Sequence, residues 1–313
     1  MALLTRLTEL AVATESVKGT AETLEAADVV ILAEDVTFAY APQELARNPY
    51  RNHISPMASV PGARIGTMTA RVEFKGSGTA TTPPSIGLLL KGCGFAEDVQ
   101  TASVVYTPVS TDALSSTLTM AAYMDGTCFK MYGARGNLSL AFNANQLVYG
   151  DFTFTGIFDG LTDTAMLGGT FESTIPVPWY NASLSWNFGA SYVPSCISAL
   201  SLDLNNTVTI RQCANATYGL TYALITARDY GGTVDPDAVL VTTQDWMGHL
   251  GTPTTGSLAF SVGTEAGNTI AFAAPAFQVT SLTPGDRDGI RTWMLPYKLR
   301  GSSGNDELTI TFS

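Results

Sequence analysis

Two histidines, four cysteines and a few paired carboxylates are the residues of this 313-residue chain whose types could do chemistry. His53 or His249 could act as a general base toward a serine, but no Gly-x-Ser-x-Gly elbow accompanies either. His249, near an expected helix end, suits capping or packing, and His53, inside a polar loop, suits a solvated or interface position. Cys93, Cys128, Cys196 and Cys213 lack Cys-x-x-Cys spacing, so they read as reduced core hydrophobes and not as a disulfide framework or a metal site. The stretch "GDRDG" (285–289) resembles part of a calcium loop without its later ligands or its distal glutamate. Asp and Gly there serve better as a tight hairpin turn. The pairs Glu34-Asp35 and Asp306-Glu307 sit at apparent strand ends, where solvated faces are the default. The Gly-rich stretch in "FKGSGTATTPPSIGLLLKGCGF" (74–95) could cradle a phosphate, but such a loop needs its lysine after the glycines, and here the lysine precedes them. It reads as a strand-to-helix corner. No catalytic residue, cofactor site or metal site is expected.

The elements around these residues are mostly strands. "TMTARVEFK" (67–75) alternates, with Met68, Ala70, Val72 and Phe74 on one face and Thr67, Thr69, Arg71, Glu73 and Lys75 on the other. "NLSLAFNANQLVYGDFTFTGIF" (137–158) alternates through Leu138, Leu140 and Phe142. It then sets Phe152 and Phe154 against Thr153 and Thr155, as two strands of a hairpin. "RTWMLPYKL" (291–299) puts Trp293, Leu295, Tyr297 and Leu299 on one face, with Pro296 suited to an edge or bulge. "ELTITFS" closes the chain as a strand. Two short helices are expected. One follows Thr82 as N-cap and stops at Gly92 or Gly94; the other follows Asp235, with Val239, Thr243, Trp246 and Leu250 on one stripe.

The same landmarks recur in both halves: strand, connection, strand, Gly-bearing turn, capped helix, hairpin strands. This order suggests duplication of one α+β unit. The divisions expected are an N-terminal arm (1–20), a first unit (21–172), a connector (173–195) and a second unit (196–313). The first unit carries a long loop at 41–64, "APQELARNPYRNHISPMASVPGAR", with Arg47, Tyr50, Arg51 and His53 at its middle. Loops of that length within compact domains usually bear an interaction. The second half offers only "QCANATYG" in what reads as the equivalent place.

Composition sets further bounds. Apolar residues make up 45% and charged ones 14%, with a net charge of −11. So few charges on a large surface favour an assembling subunit. The negative balance argues against a protein that grips phosphate backbones, though acidic walls would let nucleic acid slide past. No run of 18 apolar residues is found, so no membrane span is expected. The N-terminus shows no clear signal-peptide layout, so synthesis and folding in a cytosol are expected.

The order "TARVEFKGSGTATTPPSIGLLLKGCGF", "VVYTPVS", "MYGARGNLSLAFNANQLVYGDFTFTGIF" and "GDRDGIRTWMLPYKLRGSSGNDELTITF" resembles the major tail tube proteins of long, non-contractile-tailed bacteriophages. The resemblance covers nearly the whole chain. It implies a mainly β fold, a sandwich with flanking short helices, whose sheets join between subunits into a β-barrel tube. It also implies a virion protein assembled in the host bacterial cytoplasm into stacked rings that conduct DNA during genome ejection. Its partners would be itself, the tape measure protein, terminator and tip proteins, and double-stranded DNA in transient passage. Single-unit members close a ring with six subunits, so a duplicated chain is expected to form a homotrimer with pseudo-sixfold character. Thr67, Thr69, Glu73, Thr153 and Thr155 are then expected to face the lumen. Arg47, Tyr50, Arg51 and His53, with the N-terminal arm, are expected to join one ring to the next. A different virion or secretion-type tube or fibre module is the alternative, and a secreted carbohydrate-active β-sandwich enzyme the more distant one.

Overall fold

Strict alternation of apolar and polar residues makes this chain mainly strand, and the computed structural model describes residues 3–252 and 254–313 of it. The first half forms β1 (Thr8–Thr14), β2 (Ala33–Tyr40), β3 (Glu44–Leu45), β4 (Val60–Pro61) and β5 (Ile65–Glu73). It continues with α1 (Gly87–Gly92), β6 (Phe95–Val99), β7 (Val104–Pro108), β8 (Leu118–Met124), β9 (Thr127–Asn143) and β10 (Tyr149–Asp163). The second half forms β11 (Ser185–Asn187), β12 (Ser191–Tyr192), β13 (Ile197–Asp203), β14 (Thr207–Gln212), β15 (Leu220–Ala227) and β16 (Gly231–Pro236). It ends with α2 (Trp246–Gly251), β17 (Gly256–Val262), β18 (Ile270–Val279), β19 (Thr283–Arg287), β20 (Ile290–Arg300) and β21 (Thr309–Phe312).

Pairing reveals two strand sets built in the same order. In the first, neighbours run β1-β8-β9-β10-β5-β2, all antiparallel. In the second they run β11-β17-β18-β20-β16-β13, again all antiparallel. β18 and β19 act as one strand line, because Val279 lies opposite Tyr297 and Thr283 opposite Met294, both on β20. Pro296 falls opposite the break between them. Its carbonyl accepts from Thr280 N at 2.9 Å, and its missing N–H costs no regular ladder bond there. Asp288-Gly289 turns the chain from β19 to β20 with φ of 53° and 84°. Positive φ at both central residues is what a two-residue hairpin needs, so "GDRDG" is the expected turn.

The sets are welded at β9 and β13, where Leu140 faces Leu202 and Phe142 faces Leu200. One run, β2-β5-β10-β9-β13-β16-β20, then continues into β18 and β19. The sheet does not close into a barrel within the chain. One face of the run is the core face, with Met68, Val72, Phe152, Phe154, Leu140, Phe142, Leu200 and Leu295 buried. These pack with Leu89 and Leu90 of α1 and with Tyr106, Phe272 and Phe312. Phe74 lies 5.9 Å from Phe272, and Phe142 5.1 Å from Phe260, so aromatic contacts from both halves share one core. At Gly232 a Cβ would lie 1.9 Å from the Ser201 carbonyl, and only glycine lets β16 approach β13 so closely.

Several sequence expectations shift. Residues 8–14, expected within a free arm, are β1, with Leu10, Ala11 and Val12 buried beside β8; residues 1–2 lie outside the described residues. β11 and β12 lie within the expected connector, and β11 pairs with β17 of the second set. α1 starts at Gly87 and not after Thr82, since the residues before Pro83 and Pro84 are pushed out of helical backbone. α2 starts at Trp246, capped by Asp245, whose side chain accepts from Gly248 N at 2.8 Å. Asp235 instead accepts from Ser198 N and Ala199 N at the bulge of β13, and "GGTVDP" is strand β16. The counterpart of loop 41–64 is therefore not "QCANATYG" alone but the whole stretch between β13 and β16, which contains the β14–β15 hairpin.

Candidate functional site

The outer face of the strand run carries a polar row across its strands, beside an apolar patch at Ile65 and Ile157. Across β5 and β10, Thr67 pairs with Thr155, Thr69 with Thr153, Arg71 with Asp151 and Glu73 with Tyr149. β2 adds Thr37, whose hydroxyl lies 2.6 Å from that of Thr69. β9 adds Asn137 and Ser139, opposite Thr153 and Asp151. β13 adds Ser201 and Asp203, and β16 adds Thr233, 3.1 Å from Ser201. Lys298 and Gln278 carry the row onto β20 and β18. Thr153 is exposed, while Thr67, Thr69, Glu73 and Thr155 are half-buried, and all five stand on this one face.

The face carries more carboxylates than cations, and each cation on it is paired. Arg71 lies 3.9 Å from Asp151, and Arg300 3.3 Å from Asp229, which also binds Lys298. Glu73 meets Lys75 at 2.9 Å. Lys75 is buried, so it does not stand on the open face with Arg71 as the alternation suggested. β5 ends at Glu73, and the chain turns Lys75 inward to bind Glu73 and the Glu172 carbonyl. Glu34, Asp151, Asp203 and Asp229 join Glu73 as carboxylates of this face. The alternation of "SLDL" (201–204) was the signal for Asp203.

Loop 41–64 leaves the run where β2 ends and β5 begins. Glu44 pairs with Pro61 and Leu45 with Val60, which closes a narrow base. Beyond that base Arg47, Tyr50, Arg51 and His53 are all exposed, Tyr50 and Ile54 completely so. The structure thus brings these four residues together on one projecting arm.

The β14–β15 hairpin, at the same station of the second set, folds back on β9 and β10 instead. Ile210 and Leu220 pack with Tyr132, Ile157 and Ile65. Arg135, only 2% exposed, binds Asp112 at 2.7 Å and the Ser115 and Ser116 carbonyls. Tyr222 of β15 donates to the same carboxylate at 2.8 Å. Burial opposes ionisation of Asp112, but the hydrogen bonds from Arg135 and Tyr222, with the charges of Arg135 and Lys18, hold its carboxyl below the usual range. Gly133, at φ 59°, would put a Cβ 3.0 Å from Tyr222, so a glycine there lets the hairpin seat.

Several of the groups that could have done chemistry are engaged in packing or hydrogen bonds. His249 stacks on Phe188 at 4.3 Å, and His53 is exposed on the arm. All four cysteines are free. Cys93 and Cys128 are buried, burial pushes the Cys93 thiol far up, and Cys196, against expectation, is exposed. Asp306 accepts backbone N–H groups of Ser302, Ser303 and Gly304, which hold its carboxyl below the usual range. Glu307 binds Arg228 at 3.0 Å. Among the described residues no cluster of His, Cys, Asp and Glu could hold a metal, and no helix is long and apolar enough to cross a membrane.

What the surface offers is an open polar sheet with an arm at one end. A family model described as phage tail tube protein matches residues 5–313. No curated protein matches the chain.

Proposed function

The chain belongs to the phage tail tube protein family and is a structural component of the virion tail, and from that premise we propose that it self-assembles into stacked rings whose lumen conducts DNA during genome ejection. The observation that carries this reading is the strand run with an unused edge at each end. β2 pairs only with β5 and β19 only with β20 among the described residues. Unpaired N–H and C=O groups on an edge strand are a template for another chain. The β9–β13 weld is an internal example of the joint required, and β19 of one copy meets β2 of the next in the same way.

The two strand sets are two copies of one unit, β1 bringing part of the expected arm 1–20 into the first and β11 part of the expected connector 173–195 into the second. Three chains then supply six such sheets. The ring is a homotrimer with pseudo-sixfold character, closed head-to-tail so that no edge of the run stays open. Thr67, Thr69, Glu73, Thr153 and Thr155 face the lumen, together with Asp151, Ser139 and Asp203. Such a wall suits DNA passage. Its hydroxyls are neutral and its cations each hold a carboxylate, so no basic stripe is left to hold phosphates. Arg47, Tyr50, Arg51 and His53 make the contact between rings. Further partners are the tape measure protein and the terminator and tip proteins at the tube ends.

Electron microscopy of the purified protein tests the assembly, with hollow tubes or stacked rings expected and monodisperse monomers overturning it. The mass of a single ring tests the symmetry. Three chains are expected, and six would sink the trimer while leaving the tube.

A further inference from the structure

We propose that the arm 46–59 of one copy docks into the groove at the weld between the two strand sets of a second copy, in the neighbouring ring. This rests on the tube reading and names the surface that receives the arm. The groove holds about 470 Å³ between the β9–β10 turn and the start of β13. Asn145, Trp179, Tyr180, Val193, Pro194 and Cys196 line it. Val193 is 67% exposed and Tyr180 48%. Trp179 forms a fixed wall: its N–H donates to the Gln146 carbonyl at 2.8 Å, and its carbonyl accepts from Asn145 N at 3.1 Å. Trp179 as a whole is 3% exposed.

The occupant follows from position and chemistry. In the shared register Ile65 lies opposite Ile157, at the arm's end of the sheet, while Glu73 lies opposite Tyr149, beside the groove. Copies stacked along the strand direction bring the arm of one to the groove of the next. A hairpin made of residues 46–59 reaches about 20 Å beyond its base, at about 3.3 Å per extended residue. The segment "ARNPYRNHISPMAS" carries Pro49 and Pro56, exposed Tyr50 and Ile54, and no carboxylate. Proline-bearing extended segments present apolar side chains to aromatic-lined grooves, which matches Tyr50 and Ile54 to the exposed Tyr180 and Val193. Charge agrees as well. Asp235 and Asp237 share the single guanidinium of Arg287, and Asp237 N donates to the Cys196 carbonyl at the groove wall. Two carboxylates against one guanidinium leave a net negative charge beside the groove, which suits a segment carrying Arg47 and Arg51. Each chain has one arm and one groove at its weld, so the contact is one-to-one.

The native, exposed Cys196 makes the contact testable by crosslinking. Tyr50→Cys and Ile54→Cys variants, assembled and then mildly oxidised, are expected to give ladders of linked chains on a non-reducing gel. The ladders should disappear when Cys196→Ser is added. A disulfide needs Cα atoms within about 7 Å, so the bond reports direct seating. Val193→Arg, which fills the groove with charge, is expected to leave folded rings that no longer stack. Tubes that form with no ladder from any cysteine placed at 47–57, and that survive Val193→Arg, would overturn the contact alone. So would ladders that persist without Cys196. Absence of tubes from the unmodified protein would instead overturn the tube reading and this contact with it.

Discussion

Two insertions occupy the same station in the two strand sets and behave oppositely. Residues 41–64 join β2 to β5 and stand out from the body beyond a base held by Glu44–Pro61 and Leu45–Val60 pairing, Gln43–Ala63 bonding and the Arg64–Tyr218 stack. The stretch between β13 and β16 carries β14 and β15 and lies against β9 and β10. The difference comes from a few residues. The folded-back hairpin offers Ile210 and Leu220 to an apolar patch and Tyr222 to the Asp112–Arg135 pair. The projecting arm offers Tyr50 and Ile54 to nothing in its own chain. Its one internal side-chain bond is local, from Arg51 to the Ser55 carbonyl at 2.6 Å. Topology alone therefore does not decide whether an insertion serves its own fold or a neighbour; the clamp does.

The sharpest way to break this comparison is to remove the arm. Deleting residues 45–56 is expected to abolish tubes while leaving a soluble, folded chain. Urea denaturation should show a stability change of no more than about 0.5 kcal/mol, as for surface changes that remove no buried contact. Long tubes from the deleted chain would show that the arm plays no part in stacking. Next in size is the clamp of the other insertion. Asp112→Ala leaves the Arg135 guanidinium buried with only carbonyl partners, and should cost about 1–3 kcal/mol. Hydrogen exchange should localise that loss to β14 and β15. Unchanged protection there would mean that apolar packing alone holds the hairpin.

These two insertions also mark how far the sequence could be read. Alternation in "TMTARVEFK" and "NLSLAFNANQLVYGDFTFTGIF" gave the central strands, their faces and the polar wall, because side-chain period 2 is local. The arm was visible as a long polar loop. The second insertion is not legible locally, because β14 and β15 alternate like strands of the main sheet. "TVTIRQ" and "LTYALITA" carry no local mark that they pair only with each other. The start of α2 differs from the expectation for a related reason. Asp235-Pro236 has the form of a helix N-terminus, but tertiary pairing drew it into β16 and gave its carboxylate to Ser198 and Ala199. The clamp itself joins Asp112, Arg135 and Tyr222 across long sequence separations, which no spacing rule reports.

The smallest expected effect is a pH dependence that one insertion has and the other lacks. Hydrogen bonds and charge hold the folded-state pKa of Asp112 below its ordinary value, so its contribution is present above the unfolded carboxylate pKa of about 3.9 and is lost as pH falls through the lower, folded value. The stability difference between the parent and Asp112→Ala should stay level from neutral pH down to about 5. It should then shrink as the solution becomes more acid than about pH 4. Asp112 is partly solvated, which screens the pair and keeps the effect modest. Protonation also removes less than the alanine does, since a neutral carboxyl can still accept from Tyr222. Hydrogen exchange across β14 and β15 should follow the same acid limb, whereas exchange across 46–59, with no carboxylate in that segment, should show only the intrinsic pH dependence of free amides. A difference that persists undiminished below the folded pKa would show that the clamp works by shape and packing and not by charge.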